Sequence, residues 1–312
     1  MESYDVLAIG SGVLDIFIKS EKFKVIKSDE VQGGIAICEV YGGKMEVDEV
    51  TISSGGGGTN TAYSFARKDL KTAVICEMGN DPASLIVHRD MENVGVDTRF
   101  IVQEADETTA VSTILISEDG GRSIIVYRGA SAMLDNKDVP WEKIKARWVH
   151  VTSLGGNMSL LTKILEWARD NNSRVSFNPG ITEIEKGKKL LSLLPMVEIL
   201  FLNRAEAKRV FDRDYCVEGS GYPEGAVVTV ITDAERGGVI CEGGKCVSYK
   251  TTRPKKVVDT TGSGDSFASG MVAGVLYGLS YRDSILWGTK NASACVAGVG
   301  AKYGSLSLAE VR

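Results

Sequence analysis

The stretch 260-TTGSGDSF-267 sets two glycines around a serine and follows them directly with an acid. Gly262, Ser263 and Gly264 carry little bulk, so their backbone N–H groups can converge on one point. The helix pattern that begins near Asp265 adds unpaired N–H groups and the positive end of its dipole. Such a turn is an anion hole suited to a phosphoryl group. An acid repels a resting anion, so Asp265 is out of place in a mere phosphate store. In a reaction it has a use, because its carboxylate can take a proton from a hydroxyl as that oxygen attacks phosphorus. Aspartate also caps helix N-termini well, and the residue types alone leave both roles open.

A second cluster, 55-GGGGTNTA-62, precedes another helix pattern. Its glycines form either a flexible turn or bare backbone against which a ligand can lie, with Gly56 in that run and Asn60 offering both donor and acceptor. Asp15 follows an apolar strand and a Gly-x-Gly turn. It can accept hydrogen bonds from two adjacent hydroxyls, or stand solvated. Other chemistries lack material. There is no G-x-x-x-x-G-K-[ST], and "GSGVLD" and "GSGDSF" both miss the third glycine of a dinucleotide fingerprint. His88 and His150 are the only histidines, too few for a histidine-rich metal site and poor material for a Ser-His-Asp triad. Six cysteines without a C-x-x-C read as buried free thiols.

These residues need a scaffold. The chain opens with the apolar run Val6–Gly10, and residues 13 to 52 then read as short hairpins. Helix patterns cover about 59–68 and 82–94, and a second hairpin region, "TAVSTILISEDGGRSIIVYRGA", follows. From residue 140 strands alternate with helices near 158–171, 183–194, 204–211, 264–278 and 281–299. Repeated strand–helix units predict an α/β fold, a doubly wound, mostly parallel sheet flanked by helices. The two β-rich interruptions are expected to pair with each other as a small separate sheet. Ligands of such sheets bind at the carboxyl ends of the strands, which singles out Gly10 to Asp15, Asn157, Asn178, Asn203 to Glu206, Thr232 with Asp233, and the 260–267 turn.

Bulk properties narrow the partners. Apolar residues make up 43% of the 312 and charged residues 25%, as in an ordinary soluble protein. A formal charge of −5 speaks against nucleic-acid binding. The N-terminus does not read as a signal peptide and no apolar run is long enough for a membrane span, so a cytoplasmic protein is expected.

In order along the chain, Asp15, GGGGTN at 55–60, NRAE at 203–206, TDAERGG at 232–238 and DTTGSGD at 259–265 resemble the ribokinase-like carbohydrate kinases, also called the phosphofructokinase B family. The resemblance implies one kinase domain over 1–312, with a β-sheet lid formed by about 13–52 and 107–130. It implies an ATP-dependent, magnesium-requiring transfer of the γ-phosphoryl group to a hydroxymethyl group of a small sugar. Asp265 would be the base, and Gly262, Ser263 and Gly264 the anion hole. Asp15, Gly56 and Asn60 would hold acceptor hydroxyls. Asn203 and Glu206 would place Mg2+ and phosphate through water. Thr232, Gly237 and Asn291 would face the nucleotide, and Asp259, Thr261 and Gly300 would form a loop for a monovalent cation such as K+. Arg128, at the end of the second lid segment, would reach acceptor or phosphates or else stay on the surface.

The sequence departs from the family at two points. Ala234 stands where many members have glycine, and GGGGTN lacks the lysine usual in ribokinases, which speaks against ribose itself. A nucleoside acceptor is the alternative, with Tyr41, Ile35, Ile37 and Val126 as an apolar shelf. A non-catalytic sugar or nucleotide sensor fits less well, because Asp265, Asn203 and Glu206 are all present. A homodimer joined through the lid is expected from its exposed sheet edge.

Overall fold

Val6 to Ile9 are almost wholly removed from solvent on both faces of the chain's first strand, as parallel strands covered by helices on both sides must be. The computed structural model describes residues 2–31, 34–39, 41–119, 121–216 and 221–312. Within them, an eight-stranded sheet runs in the spatial order Lys245–Tyr249, Gly238–Glu242, Val228–Thr232, Ile199–Asn203, Arg174–Phe177, Ile144–Val151, Glu2–Ile9, Thr72–Ile75. The last six are mutually parallel and the first two are antiparallel additions at one edge.

Alternation along the strands divides the core. Leu7, Val149 and Leu200 pack with Leu160, Leu161 and Ile164 of the helix Met158–Asp170. Val6, Trp148 and Ile199 face the other way, onto Phe267, Met271 and Val275 of the helix Ser263–Leu276. The architecture is the expected doubly wound α/β fold.

The two β-rich segments meet in a second sheet. Val13–Lys19 pairs antiparallel with Glu49–Gly55 and parallel with Ala110–Ile116, which in turn pairs with Arg122–Tyr127. A two-stranded hairpin, Lys24–Lys27 with Ile35–Cys38, extends from it. Gln32, Gly33, Val40 and Gly120 of these segments lie outside the described residues. One face of this sheet carries Asp15, Ser112 and, by register and the two-residue period, Ile124 and Val126. The other carries Val50, Ile52 and Ile125, all more than half exposed.

Three expectations need correction. The helix expected over 183–194 is two short ones, Ile181–Ile184 and Lys188–Leu193, because Gly187 takes φ 50° and interrupts the run. The helix expected from Thr59 begins two residues earlier, at Gly57, where the Thr59 hydroxyl bonds the Gly55 carbonyl at 2.6 Å and holds the glycines in the first turn. The cysteines are not all free. Cys241 and Cys246 stand directly opposite each other in a hairpin and form a disulfide, whereas Cys38, Cys76, Cys216 and Cys295 are free thiols.

Candidate active site

The helix Ser263–Leu276 starts from Gly262, whose φ of 72° lies in the left-handed region and whose missing Cβ leaves room for Ala301. Gly264 faces the other way, with nothing within 4 Å of where a Cβ would stand. It borders a cavity shared with Asn178, Asn203, Glu206, Thr232 and Phe267, at the carboxyl ends of three strands. A larger cleft of about 600 Å³ lies along the second sheet's hairpin, lined by Lys22, Lys24, Lys44 and Glu46 among others, and includes none of the expected site residues.

Asp265 occupies the third helical position, where an acid ordinarily caps. No side chain caps this helix, and the Asp265 Oδ2 instead accepts from Asn60 Nδ2 at 2.9 Å. Lys302 fixes the other end of that amide, its Nζ donating to Asn60 Oδ1 at 3.0 Å, to the Ser54 carbonyl at 2.7 Å and to Thr59 Oγ1 at 3.4 Å. With its oxygen held by the ammonium, the amide can only turn its NH2 toward the carboxylate. Burial raises the Asp265 carboxyl above its usual range, against the Asn60 hydrogen bond and the Lys302 charge. Burial also pushes the Lys302 ammonium down to about 8, while Asp15, Asp90 and Asp265 pull it back up.

Asp15 is buried in the strand Val13–Lys19, and a Cβ on Gly55 would overlap its carboxylate. Burial pushes its carboxyl up to about 6, partly offset by the Ser112 hydroxyl and Lys302. Gly56 takes φ 93°, and any Cβ there would press on the Ser11 carbonyl. Asp15, Asn60, Asp265 and Lys302 therefore form one polar cluster between the second sheet and two helix starts. Its frame is stiff, since Ser269 Oγ bonds Ser64 Oγ at 2.7 Å and ties the two helices together.

Asn291 belongs to that frame and not to a nucleotide surface. It is fully buried, its Nδ2 donates to Ser64 Oγ and the Ser266 carbonyl, and its Oδ1 accepts from Lys68 Nζ and Leu306 N. All four of its hydrogen-bonding capacities are filled from within, which leaves none for a ligand. Arg128 is exposed, and no hydrogen bond or ion pair of its side chain joins it to the cluster among the described residues.

On the cavity's far side the N-x-x-E motif is a reciprocal capping box. Asn203 Oδ1 accepts from Glu206 N at 2.9 Å and Glu206 Oε2 from Asn203 N at 2.8 Å. Burial raises the Glu206 carboxyl. Thr232 ends its strand beside them, and the turn after it holds Ala234 at φ 48° and Gly237 at φ 92°. Ala234 thus adopts a conformation that favours glycine, the residue common there in the resembling family. Asp259, Thr261 and Gly300 do come together: Asp259 accepts from Thr261 N and Oγ1 and from Gly300 N.

Sequence reasoning missed two residues here. Lys302 follows the 300-GA-301 turn, which the family resemblance sets beside the 262–264 turn, and that was the available signal. Arg122, whose guanidinium meets Asp259 at 2.6 Å, carried no signal in an exposed alternating strand.

Residues 22–307 match the family model described as pfkB family carbohydrate kinase. An uncharacterized sugar kinase of Archaeoglobus fulgidus is 29% identical over 77% of this chain and 97% of its own. A nucleoside kinase of Methanothermobacter thermautotrophicus is 25% identical over 90% of this chain and 85% of its own. In fold, the chain is similar to Arabidopsis thaliana ribokinase complexed with ribose and ATP, at TM-score 0.79 and 19% identity over 99% and 98% of the two chains. With the family model spanning seven of the eight strands of the main sheet, three of the four of the second sheet and the Asp265 turn, the chain belongs to the pfkB family of carbohydrate kinases, phosphotransferases with an alcohol group as acceptor.

Proposed function

We propose that this chain transfers the γ-phosphoryl group of ATP to a hydroxymethyl group of a small sugar. The observation that carries the reading is Asp265: an acid at a helix start that caps nothing and is aimed by Asn60 and Lys302 beside an open Gly264. Asp15 accepts hydrogen bonds from acceptor hydroxyls and Asn60 keeps the amide geometry beside them. Asp265 takes the proton from the attacking hydroxyl, and the turn of Gly262, Ser263 and Gly264 receives the charge that grows on the phosphoryl oxygens. It does so chiefly through the Gly262 and Gly264 N–H groups, because the Ser263 N–H already donates to the Thr260 carbonyl at 3.3 Å.

No group of three or more acidic, histidine or cysteine side chains that could hold a metal exists among the described residues. Glu206 on the cavity wall, with Asn203, suits the waters of a hydrated Mg2+ and not direct coordination. When bound with the nucleotide, that ion neutralises phosphate charge. Thr232 and Gly237 border the nucleotide side. We read 1–312 as one catalytic domain in which 13–52 and 107–130 close as a lid and exclude water. No helix among the described residues is long and apolar enough to cross a membrane, and we place the enzyme in the cytoplasm with its donor.

One observation favours a nucleoside instead. Val126 and Ile124 share the face that carries Asp15, and both are about half exposed, a ready apolar shelf for a base. The opposite face, with Val50, Ile52 and Ile125, supports pairing of two copies through the lid.

A coupled ADP-release screen over pentoses, hexoses, keto-acid sugars and nucleosides decides between the acceptors, and light scattering on the same preparation reads the dimer. The expected result is the highest kcat/KM on a free sugar. A nucleoside with the higher value replaces the sugar reading, and a monomer at assay concentration removes the dimer.

A further inference from the structure

Four groups converge on the carboxylate of Asp259, in the turn that leads into Gly262. Oδ1 accepts from Thr261 N at 3.0 Å and Thr261 Oγ1 at 2.7 Å, and Oδ2 from Gly300 N at 3.1 Å. The fourth brings charge: Arg122 Nη1 donates to Oδ1 at 2.6 Å. The same guanidinium donates through Nη2 to Thr260 Oγ1 at 2.6 Å and through Nη1 to Thr261 Oγ1 at 3.1 Å. The Asp259 side chain is only 4% exposed. A carboxylate so buried, beside a turn that must receive phosphoryl charge, needs a compensating cation held close.

That cation comes from another part of the molecule. Arg122 begins the outermost strand of the second sheet, opposite Ile116, and by the two-residue period it shares the face that carries Asp15. It reaches across to the 259–261 turn, which itself packs on the 300–301 turn through Gly262 and Ala301.

These residues do not fit a bound K+. An alkali ion needs oxygens free to face it, whereas Asp259 Oδ1, Thr260 Oγ1 and Thr261 Oγ1 already face a guanidinium and Asp259 Oδ2 faces the Gly300 N–H. Arginine cannot discharge itself to make room, since it stays protonated in proteins.

We propose that Arg122 is the built-in cation of this turn. Its guanidinium balances and orders Asp259 in place of a dissolved alkali ion, and it does so only while the second sheet lies over the turn. Arg122 is a positioning residue: it acts on the anion hole through Asp259 and Thr261. The proposal rests on reading 259–265 as the phosphoryl-transfer turn.

Two measurements test it on the full chain, each in tetramethylammonium buffer with and without added KCl. The first is turnover at saturating ATP, Mg2+ and best acceptor. Wild-type rate should change by less than about twofold with KCl, while Arg122→Met should lose about tenfold or more without KCl and regain most of it with KCl. The second is Tm, which K+ should raise in Arg122→Met and leave unmoved in the wild type, since only the variant has a vacant site to bind it. Arg122→Lys, which keeps a cation, should stay insensitive to K+ and stands in if the methionine variant does not fold. Strong activation or thermal stabilisation of the wild type by K+ overturns the proposal. So does a loss in Arg122→Met that K+ does not relieve, or no loss at all. If no acceptor is turned over, the substrate reading fails separately, and the Tm titration, which requires none, still decides Arg122.

Discussion

Two helices start at the carboxyl edge of the same sheet, each with an acid at its third position, and the two acids are put to different uses. At Arg204–Phe211, Glu206 turns back onto the Asn203 N–H while Asn203 caps the Glu206 N–H, and the box is closed. At Ser263–Leu276 the residue before the helix is Gly262, which has no side chain to cap with, and Asp265 turns outward to Asn60. The first arrangement satisfies the helix. In the second the Ser263 N–H bonds the Thr260 carbonyl, but no side chain takes up the Gly264 and Asp265 N–H groups, which forgoes about 1 kcal/mol of capping. An identical position in two helices thus closes a capping box or leaves it open according to what stands opposite it, Asn203 in one case and Asn60 with Lys302 in the other.

The largest effect that can break this contrast is at Asp265. Asp265→Asn keeps the shape and removes the basicity, so turnover should fall by about 10²- to 10⁴-fold with nucleotide affinity largely kept. Thermal stability should hold or rise, because a partly buried carboxylate held above its ordinary pKa disfavours the folded state at neutral pH. Near-normal turnover measured where chemistry limits the rate would make the two acids equivalent after all.

Next in size is Lys302, which turns the difference into geometry. In Lys302→Met the Asn60 amide loses the partner that fixes its oxygen, and turnover should fall by about 10- to 100-fold through misplacement of Asp265 and acceptor. The pH profile adds a test that a merely structural lysine would not pass. The Lys302 charge lowers the Asp265 pKa, so its removal should move the acid limb of kcat to higher pH. An unmoved limb with intact folding would show that Lys302 does not act on Asp265.

The scaffold of this contrast was legible because it is local. Val6 to Ile9 and Ile199 to Leu202 are fully buried, and buried parallel strands read as unbroken apolar runs. The glycine turns and the acids beside them were legible as residue types. Their partners were not. Asn60 and Lys302 are 242 residues apart in sequence, and Arg122 and Asp259 are 137 apart. No periodicity encodes a contact at that distance. Asn291 shows the converse: a polar residue on the last long helix suggests a ligand contact until its amide is found saturated by Lys68, Ser64, Ser266 and Leu306. Cys241 and Cys246 lay within reach of sequence reasoning, since two glycines between them make a tight hairpin, but a spacing of five does not by itself set strand register.

The smallest effect concerns Glu206, where the two uses of an acid can be separated in one residue. Glu206→Gln keeps a side-chain oxygen for the Asn203 N–H, so the box and the Tm should survive. What it loses is negative charge on the cavity wall, where Glu206 stands with Thr232 and Gly264. If that charge orders the waters of Mg2+, the magnesium concentration for half-maximal rate should rise several-fold while the rate at saturating magnesium stays near that of wild type. Glu206→Ala removes charge and box together, and should add a stability loss of about 1 kcal/mol read by denaturant titration. A magnesium titration unchanged in the glutamine variant, with stability lost only in the alanine variant, would leave Glu206 as a cap and nothing more. The acid at the first helix would then be structural throughout, and the burden of phosphate chemistry would fall wholly on the uncapped turn around Asp265.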